Sequence, residues 1–246
     1  MDCKTFKQLE KAISISRLQT YKNSSYLSNE ELFGKYIWNV QLSENFYFLL
    51  KNLEISLRNS IYDAYTNSYP ERSIFHINKE DRYKRKEFHA VGSWKMIKVV
   101  KYNLIEEKKE VSDERIISQL NFGFWTKLLL DNHRNYRDMW RQILKDVFPH
   151  KPIRYNLDRE KKDVAQKLNK IRVFRNRIFH YEPIFNRDDL DNIHKDILNI
   201  IGCINPELLT LTKMFDRYEE IVLKEKLIVE QLLEFGEKNE SSPQTI

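Results

Sequence analysis

The stretch Ile171-Arg172-Val173-Phe174-Arg175-Asn176-Arg177-Ile178-Phe179-His180-Tyr181-Glu182-Pro183 reads as the end of a buried helix that stops at a proline. At about 100° per residue, with Ile171 at zero, Phe174, Ile178 and Tyr181 fall within about 80° of it and make a core stripe. Arg172, Asn176 and His180 form a polar ladder on the adjoining face, at a spacing of four. Arg175 falls between ladder and stripe, beside Phe179. A guanidinium at such a boundary is partly desolvated and needs an anionic partner or several acceptors.

Helical periodicity extends outward from this segment in both directions. A first helix is expected over 5–16, with Phe6, Leu9, Ile13 and Ile15 as its apolar positions. Residues 21–26 read as a loop, and Ser28 followed by Glu31 is a capping-box pattern. The longest apolar stretch, 38–65, buries Phe46, Leu49, Leu50, Leu53, Leu57 and Ile61 before Tyr69-Pro70 ends it. Residues 79–104 read as a basic helix, and Ser112-Asp113-Glu114 opens a short one. Asn121-Phe122-Gly123-Phe124-Trp125 reads as a hinge into Leu128-Leu129-Leu130. Further helices are expected over 136–148, 158–181, 187–201 and 206–234, with cap signals at Asn186 and at Asn205-Pro206.

Five Gly and six Pro in 246 residues are too few for the many turns of a β-rich or doubly wound fold. The expected class is all-α: one helical domain over 1–235, with an N-terminal helical subdomain at about 1–40, and a flexible polar tail over 236–246. Two cysteines give neither a disulfide framework nor a metal-ligand set, which fits a reducing cytoplasm. The start is amphipathic rather than a signal peptide, and no apolar run is long enough for a membrane span. The net charge of +6 is uneven: residues 219–246 carry three Lys against seven Glu, a net of −4, leaving +10 in the first 218. That basic part is where a polyanion is expected.

Arg175, Asn176 and His180 are the residue types that RNA cleavage through the ribose 2′-hydroxyl needs. Histidine serves as general acid or base near neutrality. Arginine holds a phosphate in fork geometry as charge develops, and Asn176 orients one of the two. One helix supplies a single His; a symmetric dimer would supply two. By spacing alone the segment reads more readily as a core helix with a solvated face, and both readings stand at this point.

The segment from Phe174 to Ile184 resembles the signature of Abi-like abortive-infection proteins of the AbiD/AbiF type, a branch of the HEPN superfamily. Leu53-Glu54-Ile55-Ser56-Leu57-Arg58-Asn59-Ser60-Ile61 and Asn121-Phe122-Gly123-Phe124-Trp125 resemble the same family, in the same order, so the likeness covers about residues 5–220. The resemblance implies a HEPN-type helical bundle with additional N- and C-terminal helices. It also implies a metal-independent endoribonuclease of anti-phage defence, with Arg175 and His180 catalytic and Asn176 supporting. Some members are similar to toxins controlled by a small noncoding RNA.

Glu54 and Arg58, one turn apart, read either as a local ion pair or as supports facing the Arg175–His180 helix. Lys84, Arg85, Lys86, Lys95, Lys98 and Lys101, interleaved with Tyr83, Phe88, Trp94 and Tyr102, are expected to contribute to RNA binding, as are Arg172 and Arg177. The rival to that reading is an amphipathic helix with a solvated basic face. Phe122-Gly123-Phe124-Trp125 reads as packing rather than a base-stacking platform. His133, His150 and His194 lack metal-ligand spacing, and no phosphate-cradling glycine loop is present, so no metal or cofactor is expected. The expected partners are RNA, including a noncoding RNA, and a second copy of the chain. The rival functions are a non-catalytic RNA-binding module and a purely structural interaction protein.

Overall fold

A chain with so few residues that turn cheaply spends its length in helices. A computed structural model describes residues 3–22, 27–71, 73–75, 93–130, 134–152 and 156–241, and no strand occurs among them. The elements are α1 (Cys3–Ile13), α2 (Ile15–Gln19), α3 (Asn29–Ser68), α4 (Ser93–Glu106), α5 (Asp113–Gln119) and α6 (Phe122–Leu130). They continue as α7 (Arg134–Val147), α8 (Leu157–Phe179), α9 (Leu190–Ile204), α10 (Pro206–Phe215), α11 (Tyr218–Val222) and α12 (Glu225–Ser241). The class is all-α. Among the described residues no helix is long and apolar enough to cross a membrane.

Contacts gather the chain into two compact units. The first comprises Met1–Leu49, Asn176–Asn192 and Phe215–Ile246; the second comprises Leu50–Arg175 and Ile193–Met214. The first unit extends beyond residues 1–40, since later segments of the chain complete it.

In the first unit, Phe6, Leu9 and Ile13 of α1 pack on buried Leu18, Tyr21, Leu32 and Phe33. The expected helix over 5–16 is interrupted. Ser14 takes a φ of 79°, and its hydroxyl caps Arg17 N as α2 restarts. Ile15, read as apolar core, is therefore turned out to solvent. α3 opens with the expected capping box: Ser28 N donates to Glu31 at 2.7 Å, and Glu31 N donates to the Ser28 hydroxyl at 3.1 Å. Gly34 permits a close approach, since a Cβ there would sit 2.7 Å from Val229 Cγ2. α9 begins three residues later than expected, because Asp189 is engaged by the guanidinium of Arg187 at 2.8 and 2.7 Å ahead of the helix.

The single helix expected over 206–234 is three helices. Asn45 enters the break from α3, accepting from Arg217 N at 2.8 Å and donating to Asp216 at 3.0 Å. Tyr218 donates to Asp191, and burial together with that carboxylate raises its phenol above the ordinary range. α12 runs on to Ser241, so the stretch read as a tail from Gly236 is helical that far.

In the second unit, Leu53, Leu57 and Ile61 of α3 are fully buried, as are Leu168, Ile171 and Phe174 of α8. Each such side chain contributes about 1.5–3 kcal/mol by burial. Phe75 lies 6.3 Å from both Phe124 and Trp125, and Trp140 donates to Leu128 O at 2.8 Å. Asn121-Phe122-Gly123-Phe124-Trp125 is not a hinge: Asn121 caps α6 through Phe124 N at 3.2 Å, and the aromatics are buried in its first turns. The Asn205-Pro206 signal does open α10, with Leu208 N on the Asn205 side chain at 2.7 Å.

Candidate functional site

α8 carries the quoted stretch, and it ends before the proline is reached. Tyr181 has a φ of 57°, its N–H donates to Ile178 O at 3.0 Å, and Glu182 N donates to Arg177 O at 2.8 Å. This is the Schellman pattern, with a tyrosine where glycine is usual. Pro183 only prevents resumption of the helix. The left-handed residue overturns one expectation. Tyr181 leaves the core stripe of Phe174 and Ile178 and is 74% exposed. A helical wheel no longer applies once the backbone reverses hand.

Arg175 belongs to the second unit, and its side chain is 21% exposed. Its Nη2 lies 3.5 Å from a carboxylate oxygen of Glu54, itself 23% exposed. Glu54 thus pairs across helices with Arg175, and Arg58 donates to Asn59 at 3.2 Å instead of joining Glu54. Three residues before Arg175, Arg172 donates to Asn169 at 3.2 and 3.0 Å. Its Cδ lies 4.0 Å from where a Gly123 Cβ would be. Such a Cβ would also come within 3.1 Å of Asn121 Oδ1, so glycine leaves room for the cap of α6. The three stretches singled out in the sequence therefore meet on one segment of α8: Glu54 at Arg175, and Gly123 beside Arg172.

Glu54→Gln is expected to leave the fold intact, because the amide keeps the shape of the carboxylate and still offers an oxygen acceptor to the half-buried guanidinium 3.5 Å away. A misdirected guanidinium is expected to lower RNA cleavage on the order of ten- to a hundredfold. Parallel melting curves and cleavage assays check this; wild-type cleavage in the variant would remove Glu54 from the site.

Asn176 and His180 belong to the first unit, and both are exposed. His180 N donates to Asn176 O at 2.9 Å, the last regular helical bond. The chain then leaves through a segment whose backbone is held by side chains. Arg17 donates to Tyr181 O at 2.7 Å, and Arg177 donates to Pro183 O at 2.9 Å. Asn39 accepts from Ile184 N at 2.7 Å and from Phe185 N at 3.2 Å. Neither Arg17 nor Asn39 stands out in the sequence, since each sits in an ordinary amphipathic helix and works through partners over 140 residues away.

The expected RNA-binding cations are differently placed. Lys84, Arg85 and Lys86 lie outside the described residues. Lys95 and Lys98 are exposed on α4. Lys101 is half-buried, donating to Phe75 O at 2.8 Å, and desolvation lowers its pKa. Arg172 and Arg177 already hold partners within the chain, the latter with Nε 3.6 Å from Glu182. Among the described residues, no three His, Cys, Asp or Glu side chains are grouped so as to hold a metal ion.

What the geometry defines is an all-α protein whose α8 carries a paired arginine and ends in an exposed histidine over a side-chain-fastened exit. Comparison of the chain with protein-family models, with curated proteins and with solved structures finds no match.

Proposed function

We propose that this chain is a HEPN-type endoribonuclease toxin of an abortive-infection system, cleaving RNA without a metal through Arg175, Asn176 and His180. The observation that carries the reading is the division of labour along α8. Arg175 is half-buried and aligned by Glu54, as a phosphate clamp must be, and His180 is exposed, as a proton carrier must be. The excess of ten positive charges before residue 219 supports a polyanionic substrate.

In the proposed reaction the ribose 2′-hydroxyl gives its proton to a histidine, and its oxygen attacks the adjacent phosphorus. The P–O5′ bond breaks, and the 5′-oxygen takes a proton from a second histidine. The products are a 2′,3′-cyclic phosphate and a 5′-hydroxyl. Arg175 stabilises the charge on the non-bridging oxygens. Two histidines require two copies of the chain, so the active form is a homodimer or higher homo-oligomer. A small noncoding RNA that occupies the same phosphate-binding surface would hold the toxin inactive.

The test is incubation of purified protein with total RNA in EDTA, beside His180→Ala. Cyclic-phosphate ends produced by wild type alone support the reading. Tight RNA binding by both without cleavage would assign the chain to non-catalytic RNA-binding modules.

RNA affinity is expected to fall steeply as salt rises. Replacing Lys95 and Lys98 together by alanine is expected to flatten the log–log slope by about 1.4, at about 0.7 per single-strand phosphate contact. An unchanged slope would remove α4 from the RNA-binding surface.

A further inference from the structure

The two neighbours of His180 in the chain, Phe179 and Tyr181, line a cavity of about 620 Å³ in the first unit. That volume is in the range of sites that bury a small organic ligand. Tyr47 faces the same space from α3, its ring 5.7 Å from that of Phe179. Both rings are open to solvent: Tyr47 is 50% exposed and Phe179 42%. Exposed aromatic faces gathered around one concavity are the ordinary means of gripping an unpaired base.

Beside the tyrosine hydroxyls, the charged and amide groups of the cavity favour one base. Asn39 is saturated as an acceptor by Ile184 N and Phe185 N, and it donates to the Tyr21 hydroxyl at 3.1 Å. Ser43 donates to Asn39 O at 2.8 Å. Arg17 is spent on Tyr181, donating to its carbonyl and lying 5.8 Å from its ring centroid. Glu44, exposed on α3 one turn from Val40, is the lining carboxylate, with two oxygens that only accept. Two parallel N–H donors match it best. Among the four bases guanine alone offers such an edge, through N1–H and the N2 amino group. Adenine and cytosine offer one amino donor beside an acceptor, and uracil one imide donor between two carbonyls.

We propose that this cavity is a guanine-binding subsite for the nucleotide next to the scissile phosphate. The base stacks among Tyr47, Phe179 and Tyr181, and Glu44 accepts its N1–H and N2–H. The substrate class follows as single-stranded RNA cut beside unpaired guanosines. Assignment to the scissile phosphate rests on the ribonuclease reading above; the guanine site itself does not.

The experiment is calorimetric titration of the full chain with guanosine, adenosine, cytidine and uridine monophosphates, followed by mapping of cleavage positions in an unstructured RNA. Guanosine monophosphate is expected to bind at least tenfold more tightly than the others. Tyr47→Ala is expected to weaken it about tenfold, the scale of one lost stacking partner. Glu44→Gln, which turns one acceptor into a donor, is expected to move the preference from guanine to adenine and cytosine, whose ring nitrogen accepts and whose amino group donates. Both side chains are exposed, and circular dichroism checks that the variants fold. Guanosine monophosphate binding without RNA cleavage would sink the ribonuclease reading and keep the subsite. Cleavage that depends on His180 but shows no base preference, with equal binding of all four nucleotides, would sink the subsite and keep the ribonuclease. A Tyr47→Ala variant that loses self-association yet binds guanosine monophosphate like wild type would give the aromatic face to a second copy of the chain, and would also overturn the subsite.

Discussion

Alanine in place of His180 is expected to slow RNA cleavage about 10²- to 10⁴-fold, the range a positioned general acid or base supplies. Folding is expected to be unaffected. The helix end at this position is made by backbone groups, with His180 N on Asn176 O, Tyr181 N on Ile178 O and Glu182 N on Arg177 O. Alanine provides the same amide, and the imidazole is exposed. The effect of the substitution is therefore read as chemistry and not as stability. Arg175 is a poorer first test. Removing its guanidinium leaves Glu54 as a half-buried carboxylate without that partner, so activity and packing would fall together. If His180→Ala cleaves like wild type, the imidazole takes no part in proton transfer and the exposed end of α8 is a binding feature only. Identical melting temperatures for the two proteins make that comparison decisive. A homodimer adds a further expectation. If each site takes one histidine from each chain, mixing wild type with His180→Ala yields heterodimers with one proton donor or acceptor missing. Activity then falls faster than the fraction of wild-type chains.

The sequence is most legible where a local rule is obeyed by local partners. The stripe from Phe46 to Ile61 is buried as periodicity demands, and Ser28 with Glu31 forms the capping box that their spacing announces. Asn205 and Pro206 likewise open α10. The placement of Arg175 at the edge of the apolar stripe correctly implies partial burial and the need for an anion, which the structure supplies as Glu54. Misreadings arise where a distant group or a change of backbone hand takes over. Tyr181 lies on the apolar stripe only if the helix continues; its left-handed φ ends the helix and exposes the ring. Ser14 breaks the first helix in the same way. The helix expected over 206–234 is interrupted because Asn45, some 170 residues earlier, supplies the acceptor that Arg217 N would otherwise find in the preceding turn. Propensity at Asp216 and Arg217 gives no hint of that. The cavity beside His180 is invisible for a similar reason, since its walls come from α2, α3 and the end of α8.

Asn39→Ala is expected to destabilise the protein by about 2–4 kcal/mol, because it strips two backbone amides of their acceptor at once. Asn39 is buried, and so is Ile184, whose N–H it receives at 2.7 Å. Alanine fills less of the space and accepts nothing. Water can reach Phe185 N more easily than Ile184 N, so most of the cost falls on the latter. The other bond of Asn39, to the Tyr21 hydroxyl, is separable: Tyr21→Phe removes it alone and is expected to cost about 1 kcal/mol. The double variant should cost less than the two singles added, since the hydroxyl lost in one has no partner in the other. Chemical denaturation of the four proteins gives these values directly. The consequence reaches past stability. Ile184 and Phe185 fasten the chain just after His180, and Phe185 stacks on Tyr21 at 5.5 Å. Releasing that clasp below the denaturation midpoint is expected to loosen the segment from Tyr181 to Phe185 and to weaken guanosine monophosphate binding in the adjoining cavity, whereas Tyr21→Phe should leave binding nearly intact. A loss under about 1 kcal/mol in Asn39→Ala would mean that solvent replaces the side-chain carbonyl, and that the exit from α8 is held by Arg17 and Arg177 instead.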